Sequence, residues 1–253
     1  MQKSFDPKTH KYLIDGKPAT GVTTIIGVLA KPALIGWAAR MACDFIRENA
    51  DPVDIEGGFD LDVWDKLLED AKSAHNKKKE AAGEKGTDMH SLVEKYINQS
   101  IEKNEGRPHT EGLDELLPVR KFIEWAVDNV DHFLFAERQM YDAELFIAGT
   151  ADFAYIGKDG KKYMADFKTS SGIYGIDYWL QVVAYRMLAE GEGDEPYDGA
   201  TVVRMGKDGS FEVQQLNEYV LYKEAFLACL KLYRLQAHNK PVVAEKSYAK
   251  NNN

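Results

Sequence analysis

Residues 151–168 read Ala151-Asp152-Phe153-Ala154-Tyr155-Ile156-Gly157-Lys158-Asp159-Gly160-Lys161-Lys162-Tyr163-Met164-Ala165-Asp166-Phe167-Lys168. Two strand-like runs, 151–157 and 161–167, flank the turn tripeptide Lys158-Asp159-Gly160. A two-residue loop at Asp159-Gly160 would set Asp152 opposite Phe167, on the wrong face. A three-residue loop, a type I turn with Gly160 in the left-handed region, pairs Gly157 with Lys161 instead. Asp152 then lies opposite Asp166, while Phe153, Tyr155, Tyr163 and Phe167 collect on the other face. Only this register gives one aromatic face to bury and one face that gathers charge, so it is the register expected.

Side chains alternate along a strand, so Asp166 and Lys168 share a face while Phe167 turns into the core. Two opposed carboxylates destabilise a sheet unless something neutralises them. A divalent cation would do so, and a carboxylate pair beside a lysine suits metal-assisted phosphodiester hydrolysis. Charges on a solvent-facing hairpin are common, and D-x-K alone recurs by accident, so the wider context has to decide.

That context comes from both sides. Upstream, Gly86-Thr87-Asp88-Met89-His90-Ser91-Leu92-Val93-Glu94 opens a helical pattern. Downstream, Thr169-Ser170-Ser171-Gly172 leads into Ile176–Leu188, whose helical periodicity puts Gln181 and Tyr185 on one face before Gly191 ends it. G-x-x-x-H, G-x-x-D, D-x-K followed by Thr-Ser, and Q-x-x-x-Y, in that order, resemble the PD-(D/E)XK nuclease superfamily. The likeness is to its RecB-like exonuclease branch and runs from about residue 12 to about residue 215; Thr20–Ile26 and Trp37 add to it.

The resemblance implies a restriction-endonuclease-like core. It implies that His90, Asp152, Asp166 and the main-chain carbonyl of Phe167 hold the metal. Lys168 would be the catalytic lysine, with Gln181 and Tyr185 lining the site. The second acidic position, often Glu in the superfamily, is Asp166 here. Glu94, one turn beyond His90, could share its role. Glu137, on an expected strand from Phe133 to Met140, matches a site glutamate of some relatives or is a surface charge. The cofactor implied is Mg2+ or Mn2+, one or two ions. Lys168 between two carboxylates should stay protonated, as a stabiliser and positioner of water more than a general base.

Composition frames these expectations. The chain has 253 residues, 44% of them hydrophobic, enough for one large domain or two small ones; because the first half carries His90, one domain is expected. The two cysteines, Cys43 and Cys229, are too few for a disulfide framework or a four-cysteine iron–sulfur cluster. No signal-peptide or membrane-span pattern is present, so an intracellular, reducing, cytoplasmic setting is expected. A net charge of −9 argues against a coat of nonspecific DNA affinity but not against a local basic track. Candidates for that track are Lys72, Lys77, Lys78, Lys79, Lys85, Lys161, Lys162, Arg40 and Arg204, with Ser170 and Ser171 near the strand end. Lys77–Lys79 reads equally as a solvated helix face. Tyr174, Tyr178 and Trp179 could stack on unpaired bases or serve the core.

The expected architecture is mixed α/β: a mostly helical first half feeding a central mixed sheet with helices on both faces. A hairpin spans Lys11–Lys17 around Asp15-Gly16, and helices follow over about Ala33–Asn49, over Val63–Glu102 with a break near Gly83 and Gly86, and over Leu113–Asn129. Loops fall at Asp51–Asp62 and Asn104–Thr110, ordinary connections or lid elements. A second hairpin, Thr201–Gln214, turns at Lys207-Asp208-Gly209, and a helix from Glu218 to His238 closes the pattern. The function expected is a DNA exonuclease acting on single-stranded or end-exposed DNA. A nonenzymatic nucleic-acid-binding or assembly protein, an endonuclease and an RNA-directed enzyme remain alternatives.

Overall fold

The computed structural model describes residues 2–7, 9–50, 61–110 and 117–238; within helices the side chains of 32–33, 61, 79–88 and 238 lie outside the description. It is a mixed α/β fold. The strands are β1 (Lys3–Asp6), β2 (Lys11–Ile14), β3 (Lys17–Gly21), β4 (Val130–Asp142), β5 (Ile147–Gly157), β6 (Lys162–Lys168), β7 (Gly199–Met205) and β8 (Phe211–Leu216). The helices are α1 (Val22–Ile26), α2 (Pro32–Asn49), α3 (Leu61–Asn104), α4 (Leu117–Asn129), α5 (Ile176–Gly191) and α6 (Tyr219–His238). One sheet runs β1-β2-β3-β5-β6-β7-β8, with β4 also paired to β5.

The central hairpin has the expected register. Phe153 pairs with Ala165, Tyr155 with Tyr163 and Ile156 with Lys162. The Gly157 amide donates to the Lys161 carbonyl at 2.8 Å, and Gly160 sits at φ 77°. The second hairpin repeats the device: the Gly206 amide donates to the Ser210 carbonyl at 2.8 Å, and Gly209 sits at φ 81°. The N-terminal turn uses two residues, Asp15 and Gly16, both at positive φ as a type I′ turn requires.

Two buried clusters lie on the two faces of the sheet. On one, the rings of Phe153, Tyr155, Tyr163 and Phe167 pack against Val93 and Ile97 of α3 and Phe122 of α4. Phe153 and Phe167 stack at 4.5 Å between centroids. On the other, Ala154, Met164, Ala200 and Val202 pack against Leu180, Val183 and Ala184 of α5 and Phe226 of α6. Asp152 is two residues from Ala154, and Asp166 and Lys168 are two and four from Met164, so they belong to the α5 face, at its end.

Three expectations are corrected. The third helix does not break near Gly83 and Gly86; it runs unbroken over 44 residues, Leu61–Asn104. The strand expected from Phe133 begins at Val130, directly after α4. The N-terminal sheet gains β1, which pairs Phe5 with Tyr12. The expected loop at Asp51–Asp62 lies outside the described residues up to 60, with Asp62 already in α3. The expected start of the fourth helix, 113–116, also lies outside them.

Candidate active site

β5 decides where the site opens. Along one edge it is paired with β4 throughout. On the other edge β3 takes Ile147 and Ala148 in parallel, and β6 takes Phe153 to Ile156. β3 ends at Gly21 and the chain turns into α1 at Val22, so it leaves the sheet beside Gly149. A cavity of about 720 Å³ fills the gap, lined among others by Gly21, Val22, Thr23, His90, Ser91, Glu94, Glu137, Gly149, Thr150, Asp152, Thr169 and Tyr185.

Carboxylates from adjacent strands meet at this gap. Continuing the β5–β6 register by one pair beyond Phe153–Ala165 sets Asp152 of β5 opposite Asp166 of β6. On the other side, the pairs Ala136–Phe153 and Arg138–Ala151 leave Glu137 of β4 across from Asp152. Glu137, Asp152 and Asp166 therefore form a row across three strands. Glu137 holds this place at φ 49°, a left-handed conformation that costs a non-glycine residue about 1–2 kcal/mol. Strain of this kind is tolerated where the surrounding structure demands the position.

α3 packs on the aromatic face and brings His90 to the gap. The imidazole lies edge-on to Phe167, centroids 5.6 Å apart, with Nδ1 3.9 Å from Asp152 Oδ2. His90, Glu137 and Asp152 can each place a donor atom so that all three lie within 4.8 Å of one another. One nitrogen and several carboxylate oxygens suit magnesium or manganese. This grouping differs from the ligand set that the sequence implies: it includes Glu137, and Asp166 stands just behind it.

Asp166 is 1% exposed and forms an ion pair with Lys168. Gln181, presented by α5, ties the pair together. Its Oε1 accepts from Lys168 Nζ at 3.1 Å, and its Nε2 donates to Asp166 Oδ1 at 3.0 Å and towards the Tyr185 hydroxyl at 2.9 Å. Cation on one side and carboxylate on the other fix which end of the amide faces which partner. Asp152 Oδ2 accepts from the Phe167 amide at 2.6 Å. Tyr185 fits because position 149 has no Cβ: one there would lie 2.6 Å from the Tyr185 ring.

Burial dominates the electrostatics. It pushes Asp166 up to about 6; Lys168 opposes that rise and Asp152 adds to it. It also raises Asp152, against the pull of Lys168 and the Phe167 amide. Glu137 is pushed up to about 8, first by burial and then by Asp152, Glu94 and Asp166. Burial lowers His90. Burial also pulls on the Lys168 ammonium, but Asp166 and Asp152 outweigh it and hold its pKa above the ordinary value, so it stays charged.

The remaining candidates spread out. Ser170 Oγ donates to the Gly172 carbonyl at 2.8 Å, and Ser171 Oγ accepts from Tyr174 at 3.3 Å. Tyr174 is 76% exposed, Trp179 packs on the core, and Tyr178 places its ring 5.2 Å from Lys168 Nζ. Arg204 is buried, donating to Glu212 at 3.1 Å and to Ser210 at 2.8 Å, so it holds the second hairpin turn. Lys72 pairs with Glu69, and Lys77 with Asp70 at 3.1 Å. Lys162 donates to the Glu195 carbonyl at 2.8 Å. Lys78, Lys161 and Arg40 are exposed, and the side chains of Lys79 and Lys85 lie outside the described residues. Cys43 and Cys229 are free thiols. No described helix is long and apolar enough to cross a membrane.

No family model and no curated protein matches the chain. Among solved structures, one titled "Crystal structure of SSO0001" is similar at 16% identity and a TM-score of 0.32, covering 58% of this chain and 74% of that one. A likeness that low carries no argument about activity.

Proposed function

We propose that this protein is a metal-dependent deoxyribonuclease of the PD-(D/E)XK kind, an exonuclease on single-stranded or end-exposed DNA. The observation that carries the reading is the strand row Glu137–Asp152–Asp166, with His90 at one side and the Lys168–Gln181–Tyr185 chain at the other, beside an open cavity that His90, Glu137, Asp152 and Tyr185 line. The exonuclease mode and the preference for free ends rest on the sequence resemblance alone.

The residues divide the work. His90, Glu137 and Asp152 would hold Mg2+ or Mn2+, with Asp166 close behind. A divalent ion there acidifies water and polarises a phosphoryl oxygen. Lys168, kept protonated by the carboxylates, offsets negative charge developing on the phosphate and orients the attacking water. Gln181 keeps the ammonium aimed, and Tyr185 keeps Gln181 aimed. A protein that only bound nucleic acid would gain nothing from a row of adjacent carboxylates, one of them buried, and the strained backbone at Glu137.

The test is incubation of 5′- and 3′-labelled single and double strands with magnesium, manganese or chelator. Metal-dependent release of short products from the ends is expected, and Asp152→Ala, Asp166→Ala and Lys168→Ala should each abolish it. Near wild-type cleavage by Asp166→Ala would overturn the site. Cuts in a closed circular strand would overturn the exonuclease assignment.

A further inference from the structure

The cavity does not end at the carboxylates. Its other wall is built by the N-terminal strands: Phe5, His10 and Tyr12 line the same space as His90, Glu137 and Asp152. Phe5 of β1 and Tyr12 of β2 are cross-strand partners, their rings 4.8 Å apart and inclined by 31°. His10, in a left-handed conformation at φ 49°, sets its ring edge-on to Phe5 at 5.6 Å. Phe5 and Tyr12 are half-buried and His10 is exposed, so these rings are open to the cavity side.

The wall is tied to the carboxylates. The Tyr12 hydroxyl meets the Thr150 hydroxyl at 2.9 Å. Thr150 and Asp152 are two apart on β5, on the same face and about 7 Å along the strand. An anion is repelled by the carboxylates unless a cation lies between, whereas the aromatic end offers neutral π-faces. A ligand spanning both ends therefore carries a phosphate at one and a flat, uncharged ring at the other.

We infer that Phe5, His10 and Tyr12 form a stacking subsite for an unpaired base of the DNA strand whose phosphate lies at the carboxylate row. This rests on the nuclease reading above. Stacking is sequence-tolerant, so the subsite selects unpaired over paired bases without choosing among bases.

The experiment measures binding of two labelled strands in manganese: oligothymidine, and a strand of the same length built of abasic tetrahydrofuran units. Lys168→Ala serves as background so that binding is read without turnover. Adding Phe5→Ala should weaken oligothymidine binding about tenfold and leave abasic binding unchanged; Phe5→Trp should restore it, and His10→Ala, at an exposed position, should give a smaller loss of the same kind. Equal loss on both strands, or no loss on either while the wild-type protein cleaves DNA, overturns the subsite and leaves the nuclease reading standing. A wild-type protein that neither binds nor cleaves any strand overturns both.

Discussion

Gln181 holds a position that only an uncharged amide fills. Its oxygen faces an ammonium and its nitrogen faces a buried carboxylate and a phenol, so Gln181→Glu would put a second anion 3.0 Å from Asp166 Oδ1. The expected result is a fall of about 10²-fold in the cleavage rate from a misplaced Lys168, with strand affinity little changed; single-turnover kinetics on a saturating strand would check it. Asp152 makes the opposite trade. Its carboxyl stands between Glu137 and Asp166, where burial disfavours the charged form, and an asparagine side chain in its place could still accept from the Phe167 amide through its amide oxygen. Asp152→Asn should therefore abolish metal-dependent cleavage and stabilise the metal-free protein at pH above 8 by about 1 kcal/mol, or about 2–4 °C in Tm. A lower Tm would mean that Asp152 repays its burial through Lys168 without any cation.

At the scale of elements, the close approach of α5 to β5 depends on Gly149. A Cβ at 149 would meet the Tyr185 ring at 2.6 Å and Val22 Cγ2 at 3.1 Å, and both belong to the buried core, so neither can swing away freely. Gly149→Ala should cost about 1–3 kcal/mol from overpacking and, by pushing Tyr185 off Gln181, lower cleavage as well; thermal melts and rate measurements on one preparation would show whether the two losses travel together. This contact was not legible in the sequence, because it depends on how a helix from one segment lands on a strand from another. The hairpin was legible: Lys158-Asp159-Gly160 sets its loop length, loop length sets register, and register decides that Asp152 meets Asp166. The order of His90, Asp152, Asp166, Lys168, Gln181 and Tyr185 along the chain was legible too; His90, Asp152 and Tyr185 line one cavity, and Asp166, Lys168 and Gln181 join them through hydrogen bonds and an ion pair. What local pattern missed depends on tertiary context. Val22–Ile26 is β-branched at all five positions yet forms a helical turn because Val22, Ile25 and Ile26 are buried against α5. Gly83 and Gly86 read as a break, but a break is only a preference, and α3 continues past them. Glu137 could be named from the sequence but not ranked, since its left-handed backbone and its place opposite Asp152 exist only once β4 and β5 pair.

For the whole molecule, the buried carboxylates link stability to pH and to metal. Glu137 is raised to about 8 and Asp166 to about 6, both above the ordinary carboxylate range. Between that range and those values the folded protein keeps protons that the unfolded chain has released, so stability falls as pH rises. His90, lowered by burial, works in the other sense near its ordinary value of 6.5, where the unfolded chain is the one holding the extra proton. With the carboxylates outnumbering the one imidazole, the metal-free protein should melt at a lower temperature at pH about 8.5 than at pH about 5. A cation binds the same groups deprotonated, so its stabilising effect should run opposite to the intrinsic slope. At a hundredfold excess over Kd, manganese should add about 2.7 kcal/mol, roughly 5–11 °C in Tm by the usual conversion, at the higher pH and much less at the lower. The Glu137→Gln and Asp152→Asn double variant should lose the part of the downward slope between pH about 6 and 8, which Glu137 carries, and keep only the part that Asp166 carries at lower pH; it should also lose the manganese shift, because it lacks two of the three groups that receive the ion. A manganese shift of equal size at both pH values, or one that survives in the double variant, would place the ion somewhere other than between His90, Glu137 and Asp152.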